Sequence, residues 1–238
     1  MIEQTFEATL YAPLFYSSSE GPAIRTQPTL AATAVMHALG YRYFGLERRY
    51  AELGSAAITP DYSHLAEVPF FTSDMRPVAV EAGERTFRST DYRSERHFTT
   101  TDPDVAARVT GGSSKSVPPV LSDSGAAYQT VRDYIGLSPG STFEFTVWSR
   151  DGLPPTPFFR MGIKQTGEFR ARETDLGALV LNKYLLSEVY ELGAESLATL
   201  VERSDSFRRG NDPRLQHFVG VDPEYVRERI VPAVLECD

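Results

Sequence analysis

Hydrophobic and polar residues alternate most regularly near the start of the chain. Over residues 5–11, Phe6, Ala8 and Leu10 fall on one side, and Glu7, Thr9 and Tyr11 on the other. A period of two predicts a half-buried strand. The period then changes. Over 28–39, Leu30, Ala31, Ala34, Val35 and Ala38 share one helical face. Pro28 suits the first helical position and Gly40 the position just past the end. The stretch 13–27, with Ser17-Ser18-Ser19 and Gly21-Pro22, reads as a loop.

From about 41 to 120 no long regular pattern survives. So long a structureless stretch is improbable in a compact domain unless it is functional. Short strands are expected at 67–72 and 77–81, then an arm centred on 84–99. Residues 110–125 (TGGSSKSVPPVLSDSG) read as an exposed loop, and 126–136 as a short helix capped by Ser124. The clearest strand is 142–148, with Phe143, Phe145 and Val147 facing one way. After the turn DGLPPTP come PFFRMGI, KQTG and EFRARE, read as strand, loop and strand. In the last of these Phe169 and Ala171 point inward, while Glu168, Arg170 and Arg172 point out. Residues 178–190 are apolar and fit strand or helix. Helices are expected at 194–203 and at 223–231, the second opened by Asp222-Pro223 and stopped by Pro232. No internal repeat is visible.

Length adds one bound: 238 residues make one large domain or two small ones. With 14 Phe and 12 Tyr there is ample material for a core. The single cysteine, Cys237, excludes internal disulfides and cysteine-based zinc sites. No apolar run is long enough to span a bilayer. Glu3 and Glu7 stand where a signal peptide needs basic and apolar residues, so a cytoplasmic protein is expected.

The net charge of −8 argues against a general nucleic-acid binder. Its distribution qualifies this. Of the 24 bases only Lys115, Lys164 and Lys183 are lysines. Arginine offers a planar fork for phosphate and a face for stacking. An acid-rich, lysine-poor chain is also what a high-salt cytoplasm favours, as in an archaeal halophile.

Two motif matches fail on physical grounds. Gly136-Leu137-Ser138-Pro139-Gly140 fits G-x-S-x-G, the hydrolase elbow. Its oxyanion hole would need the N–H of residue 139, which proline lacks, and a strand follows the match where one should precede it. It is a turn. Neither Gly111–Ser116 nor Gly162–Glu168 has the glycine and lysine spacing of a P-loop. The four histidines, His37, His64, His97 and His217, have no metal-ligand spacing.

Two cationic clusters remain. In ERTFRSTDYRSERHF, Arg85, Arg88, Arg93, Arg96 and His97 interleave with Phe87, Tyr92 and Phe98. Guanidinium on phosphate and ring on base suits single-stranded nucleic acid. The same stretch also reads as a solvated hairpin whose arginines pair with Glu84, Asp91 and Glu95. The second cluster is Arg150, Arg160, Lys164, Arg170 and Arg172, against Asp151, Glu168 and Glu173. Gly162 permits close backbone approach, and turn amides there could face a phosphate. A plain surface hairpin is the competing reading.

Several pieces, taken in order, resemble one family. They are the strand ending LYAPLFYSSSEG, the segment RTQPTLAATAVMHALGY, VPFFTSDMRPV, LSPGSTFEFTVWS and FFRMGIKQTGEFRAR. The most specific are the PGSxFxF strand, Pro139 to Phe145, and an R-x-G-x-K loop, Arg160, Gly162 and Lys164. This order resembles the backbone-capping subunit of type I-D CRISPR surveillance (Cascade) complexes, of the Cas5 group and Csc1 subtype. The resemblance covers roughly residues 5–175.

The resemblance implies an α+β fold with a ferredoxin-like (RRM-type) core over 1–175. An arm would be inserted at about 60–125, and a partly helical extension, 176–238, would pack on the core. It implies binding of the crRNA 5′ handle, capping of the backbone filament, and contact with the large nuclease-bearing subunit near the PAM and its target DNA. It implies no catalysis, cofactor, metal or membrane contact. On that basis Arg160, Gly162, Lys164, Arg170 and Arg172 are the expected RNA contacts, and Arg25 and Thr26, at the head of the first helix, a further anion site. Arg85, Arg88, Tyr92, Arg93, Arg96, His97 and Phe98 would touch RNA or a neighbouring subunit. Two alternatives stand beside it: a metal-independent endoribonuclease with His97 or a tyrosine in acid–base work, and an interaction scaffold whose arginines are paired internally.

Overall fold

In a computed structural model of the chain, the described residues are 1–15, 23–46, 62–88, 131–162, 165–175, 177–210 and 213–235. The expected loop at 110–125, the outer part of the arm (89–99) and residues 16–22 of the expected 13–27 loop lie outside them; the end of that loop is in part a strand, Ala23–Arg25.

The main sheet is antiparallel and built around β1 (Ile2–Ala12). β1 pairs with β7 (Thr142–Ser149) on one side and β9 (Gly167–Thr174) on the other. β8 (Phe158–Met161) closes the β9 edge. The opposite edge is an interrupted strand, β3 (Phe70–Thr72) and β4 (Arg76–Ala79), both paired to β7. Strict alternation sends every second residue of β1, β7 and β9 inward, as their patterns predict. Phe6, Phe143, Phe145, Phe159 and Phe169 are all buried there. Their rings form a continuous set: Phe6 on Phe145 at 5.5 Å, Phe145 on Phe159 at 5.8 Å, Phe159 on Phe169 at 5.2 Å. Truncating one such ring to alanine typically costs about 3–5 kcal/mol.

Helix α1 (Ala32–Tyr43) covers this face. It starts four residues later than Pro28 suggests. Leu30 exchanges two backbone hydrogen bonds with Met75, 3.1 and 2.9 Å, which holds the chain extended up to that point. Asp74 Oδ1 then accepts the Ala32 N–H at 2.6 Å, so the helix begins where a carboxylate from the β3–β4 break can cap it. Gly40 lies inside the helix, and the last turn runs on to Tyr43. Phe44 stacks on Phe70 at 4.2 Å. The Tyr43 hydroxyl accepts from the Phe158 N–H at 2.7 Å and donates to its carbonyl at 3.0 Å, tying the helix end to β8.

The arm base is a second sheet. β5 (Ala82–Arg88) pairs antiparallel with β6 (Val131–Leu137), and β2 (Ala23–Arg25) joins β6 in parallel. The helix expected over 126–136 is therefore a strand from Val131 on. Residues 131–137 have a full-length partner in β5, and ladder pairing overrides their weak local preference.

The C-terminal part forms a third sheet, ordered β10 (Leu179–Asn182), β12 (His217–Val221), β11 (Ser204–Arg208). The ambiguous stretch 178–190 is both strand and helix. β10 ends at Asn182, whose Oδ1 accepts the Leu185 N–H at 3.0 Å and opens a π-type turn, Leu185–Val189. Helix α2 is Ala194–Glu202. The last helix, α3, runs over 223–235, with Asp222 Oδ1 accepting the Glu224 N–H as its cap. It passes through Pro232. A π-type turn, Val226–Ile230, just precedes that proline, and its wider register relieves the clash with the carbonyl four residues back. Leu181, Leu186, Phe218, Val226 and Ile230 share one buried cluster with the sheet's phenylalanines. No helix among the described residues is long and apolar enough to cross a membrane.

β7 lies between β1 and the β3/β4 edge. Among the described residues β8, not the helix of the expected ferredoxin-like plan, stands between β7 and β9 in the chain.

Candidate nucleic-acid interface

The sheet face opposite the phenylalanines has two halves. At one end Trp148 is buried. Its Nε1–H donates to Glu3 Oε2 at 2.8 Å, and the Arg227 guanidinium of α3 forks onto the same carboxylate at 2.7 and 2.8 Å. The Arg227 bonds hold the Glu3 carboxyl below its ordinary range, against the opposing effect of burial, with Trp148 assisting. The C-terminal part thus covers this half.

The other half is exposed and charged. Register places Arg76, Glu144, Glu7 and Arg172 in one row across four strands. The next row holds Thr142, Thr9, Arg170 and Phe158. Beyond it, Glu168 stands opposite Arg160. The arginines are not bare. Arg76 pairs with Glu144, and Arg172 places Nε and Nη2 on Glu7 Oε1 at 3.2 and 2.7 Å. Glu168 takes Arg160 at 2.8 Å and Arg170 at 3.6 Å. Four guanidiniums therefore meet three carboxylates. Arg170 also lies 5.0 Å from the centre of the exposed Tyr11 ring, and Arg160 lies 6.0 Å from Phe158.

Of the expected carboxylate partners, Glu168 is the one that pairs with a described arginine of this cluster. Arg160, Arg170 and Arg172 keep 53, 63 and 75% of their side-chain surface exposed. Such ion pairs are worth about 0–1 kcal/mol each. A phosphate can replace the glutamate at small cost.

The turn between β8 and β9 sits against the arm base. Gly162 has φ +85°, and a Cβ there would come within 2.7 Å of Phe15 O. A Cβ on Gly136, in β6, would come within 2.5 Å of Leu14 O. Leu14 exchanges two backbone hydrogen bonds with Leu137, and Phe15 N–H reaches Thr166 Oγ1 at 3.4 Å. The chain after β1 is thus clamped between the arm base and the turn, so these two regions lie at one end of the molecule.

Other expected residues fall differently. Arg25 and Thr26 do not head α1. Arg25 ends β2, opposite Ile135, and the Thr26 N–H is bound to Ile135 O at 2.8 Å. The anion at the head of α1 is the protein's own Asp74. Arg85 and Arg88 lie in β5, opposite Tyr134 and Val131. Lys164, Tyr92, Arg93, Arg96, His97 and Phe98 lie outside the described residues. Sequence reasoning missed Arg76, Glu7, Glu144, Tyr11 and Phe158. Glu7 and Tyr11, on the polar side of the first strand, were the visible signals.

Among the described residues no group of three or more His, Cys, Asp or Glu could hold a metal. Ser138 lies in the turn between β6 and β7, as the proline at 139 requires, and its N–H is bound to Glu81 O.

An antiparallel sheet half covered by a C-terminal unit, with its open half bearing arginine and aromatic side chains, defines a mixed α/β protein. Residues 1–185 match the family described as type I-D CRISPR-associated protein Cas5/Csc1. The chain belongs to that family and is a subunit of a CRISPR complex. No curated protein matches it. Among solved structures it is similar to a chain of the type III-B Cmr-beta complex bound to cognate target RNA and AMPPnP, with 10% identity. That match covers 92% of this chain and 84% of the other, at TM-score 0.35. A chain of the same complex bound to cognate target RNA gives 10% identity, the same coverage and TM-score 0.33. At those scores nothing further rests on the likeness.

Proposed function

We propose that this protein is a non-catalytic RNA-binding subunit that holds the 5′ handle of the crRNA and caps the backbone of a type I-D complex in the cytoplasm. The handle runs along the open half of the sheet, over Arg170, Arg172 and Tyr11, to the β8–β9 turn with Arg160 and Lys164. The observation that carries this reading is the exposed row of arginines beside the arm base. Their glutamate partners are weakly held and exchangeable for phosphate. The backbone subunit would meet the arm, and the large subunit would meet the same end of the molecule, near PAM-proximal DNA. The β1–α1–β3/β4–β7 half supports treating the core as a ferredoxin-like variant with its second helix replaced by β8.

The test is RNA retention. Complexes carrying Lys164→Glu, or Arg170→Glu with Arg172→Glu, are purified and their bound guide is measured over a salt series. Retention falls several-fold and the salt dependence flattens, while thermal stability stays within a few degrees. Unchanged retention overturns the reading in favour of internally paired arginines. A defined product from repeat RNA without metal, abolished by His97→Ala, would overturn the non-catalytic assignment.

A further inference from the structure

The cations of the C-terminal sheet differ from those of the main sheet. On the main sheet Arg76, Arg160, Arg170 and Arg172 each have a glutamate in reach. Arg208 and Arg209, at the end of β11, are exposed and make no ion pair with any described carboxylate. Arg208 stands opposite His217 of β12, and His217 stands opposite Asn182 of β10. Lys183 extends the same end: its N–H donates to Gln216 O at 2.9 Å and its Nζ to Gln216 Oε1 at 3.2 Å. Arg214 is held there too, its carbonyl accepting from Asn182 Nδ2 at 3.0 Å. Three neighbouring strands span about 10 Å, so four cations gather along one short edge.

The edge is rigidly built. A Cβ on Gly210 would fall 2.5 Å from Leu215 Cβ, so the chain leaving β11 turns hard against the 213–215 turn. The Arg209 guanidinium lies 5.9 Å from the Phe207 ring, and Phe207 rests on Phe218 at 5.0 Å. The nearby buried carboxylate, Asp74, is already taken by His217. On a chain of net charge −8, two neighbouring arginines without a described carboxylate, Arg209 beside the Phe207 ring and Arg208 opposite His217, are matched to one polyanion chemistry, phosphate with a stackable base. Apart from Lys183 these residues lie beyond the 1–185 family match.

We propose that this end of the C-terminal sheet is a second nucleic-acid contact. Arg208 and Arg209 grip a phosphodiester backbone there, with Lys183 and Arg214 as flanking charges. It does not depend on the main-sheet site, and the two fail separately.

The experiment uses the assembled complex with Arg208→Gln and Arg209→Gln, the main-sheet arginines left intact. Guide RNA retention and target-duplex binding are each measured over a salt series. The slope of log affinity against log salt shrinks by about 1–2 for the strand that is touched, with affinity at low salt falling about tenfold. Arg208→Lys with Arg209→Lys restores most of it. A changed RNA curve assigns the phosphates to the guide, and a changed DNA curve with intact guide assigns them to the target. If the double variant does not assemble, single Arg209→Gln gives a slope change of about 1. Wild-type slopes for both nucleic acids overturn the proposal. So does loss of a protein subunit with both slopes unchanged, which would make the patch a protein contact.

Discussion

Asp74 and His217, 143 residues apart in sequence, form a buried pair with Nδ1 and Oδ2 2.7 Å apart. The other Asp74 oxygen caps α1, and the Asp74 N–H is bound to Val180 O at 2.8 Å. One residue thus joins the edge of the main sheet, the helix and the C-terminal sheet. Burial pulls the His217 pKa down, and Arg208 adds to that. The Asp74 carboxylate, through charge and hydrogen bond, outweighs both and leaves it above the ordinary 6.5.

A histidine whose folded pKa is raised stabilises most below its unfolded value and loses that contribution as pH climbs through the folded value. Thermal stability of the wild type should therefore decline as pH rises above about 6.5. His217→Gln should be less stable at pH 6 and flatter above it. Asp74→Ala should cost about 3 kcal/mol or more, since it strands the imidazole and uncaps the helix. Melting curves from pH 5 to 9 measure both. A wild-type curve parallel to that of His217→Gln would contradict the assignment.

His37 gives the opposite slope. Its ring is half-buried on α1, 4.9 Å from His64 and 5.7 Å from Tyr62. Burial, helped by the His64 charge, lowers its pKa to about 4. The unfolded chain takes up a proton near 6.5 that the folded chain refuses until about 4. Stability should fall progressively between those two values, by up to about 3 kcal/mol at roughly 1.4 kcal/mol per unit. His37→Gln should remove that acid limb. Together the two histidines place the stability maximum near pH 6.5, and separate loss of each limb in the two variants checks both.

Two glycines separate backbone strain from crowding. Gly140 has φ +90° and open space where a Cβ would point, with no atom within 4 Å, whereas Gly162 has φ +85° and meets Leu14 and Phe15. Gly140→Ala should cost about 1 kcal/mol, from backbone conformation alone. Gly162→Ala should cost at least about 2 kcal/mol more, because it pushes the β8–β9 turn off the chain that leads to the arm. Chemical denaturation of the two variants decides this. Equal costs would mean that the close approach at Gly162 is not tight.

Much of the main sheet was readable because one face of β1, β7 and β9 is lined by buried apolar residues. Alternation around Phe6, Phe143, Phe145 and Phe169 is sufficient to assign β1, β7 and β9, and resemblance in the same stretches led to the family. What escaped depends on distant partners. The start of α1 is set by Asp74, not by Pro28. Strand β6 exists because β5 pairs with it. β11 and β12 have no clean period, since Phe218 and its neighbour His217 are both buried. The arginines of the β8–β9 hairpin were visible, but Glu7 and Glu144, which register sets beside them, belong to strands far away in sequence.

Those glutamates permit the sharpest test of the interface. If Glu7 and Glu168 only fold the arginines onto the surface, removing their charge leaves RNA affinity unchanged and costs less than about 1 kcal/mol of stability. If they compete with phosphate for the same guanidiniums, neutralising them frees Arg172, and frees Arg160 and Arg170 together. Glu7→Gln with Glu168→Gln should then tighten guide binding about three- to tenfold at moderate salt and steepen its salt dependence, because more phosphates are neutralised. The gain should vanish when Arg170 and Arg172 are also replaced by Gln. Comparing guide retention in the glutamate variant, the arginine variant and the combination measures the coupling directly. A glutamate variant that binds no more tightly than the wild type would mean that RNA does not use this face.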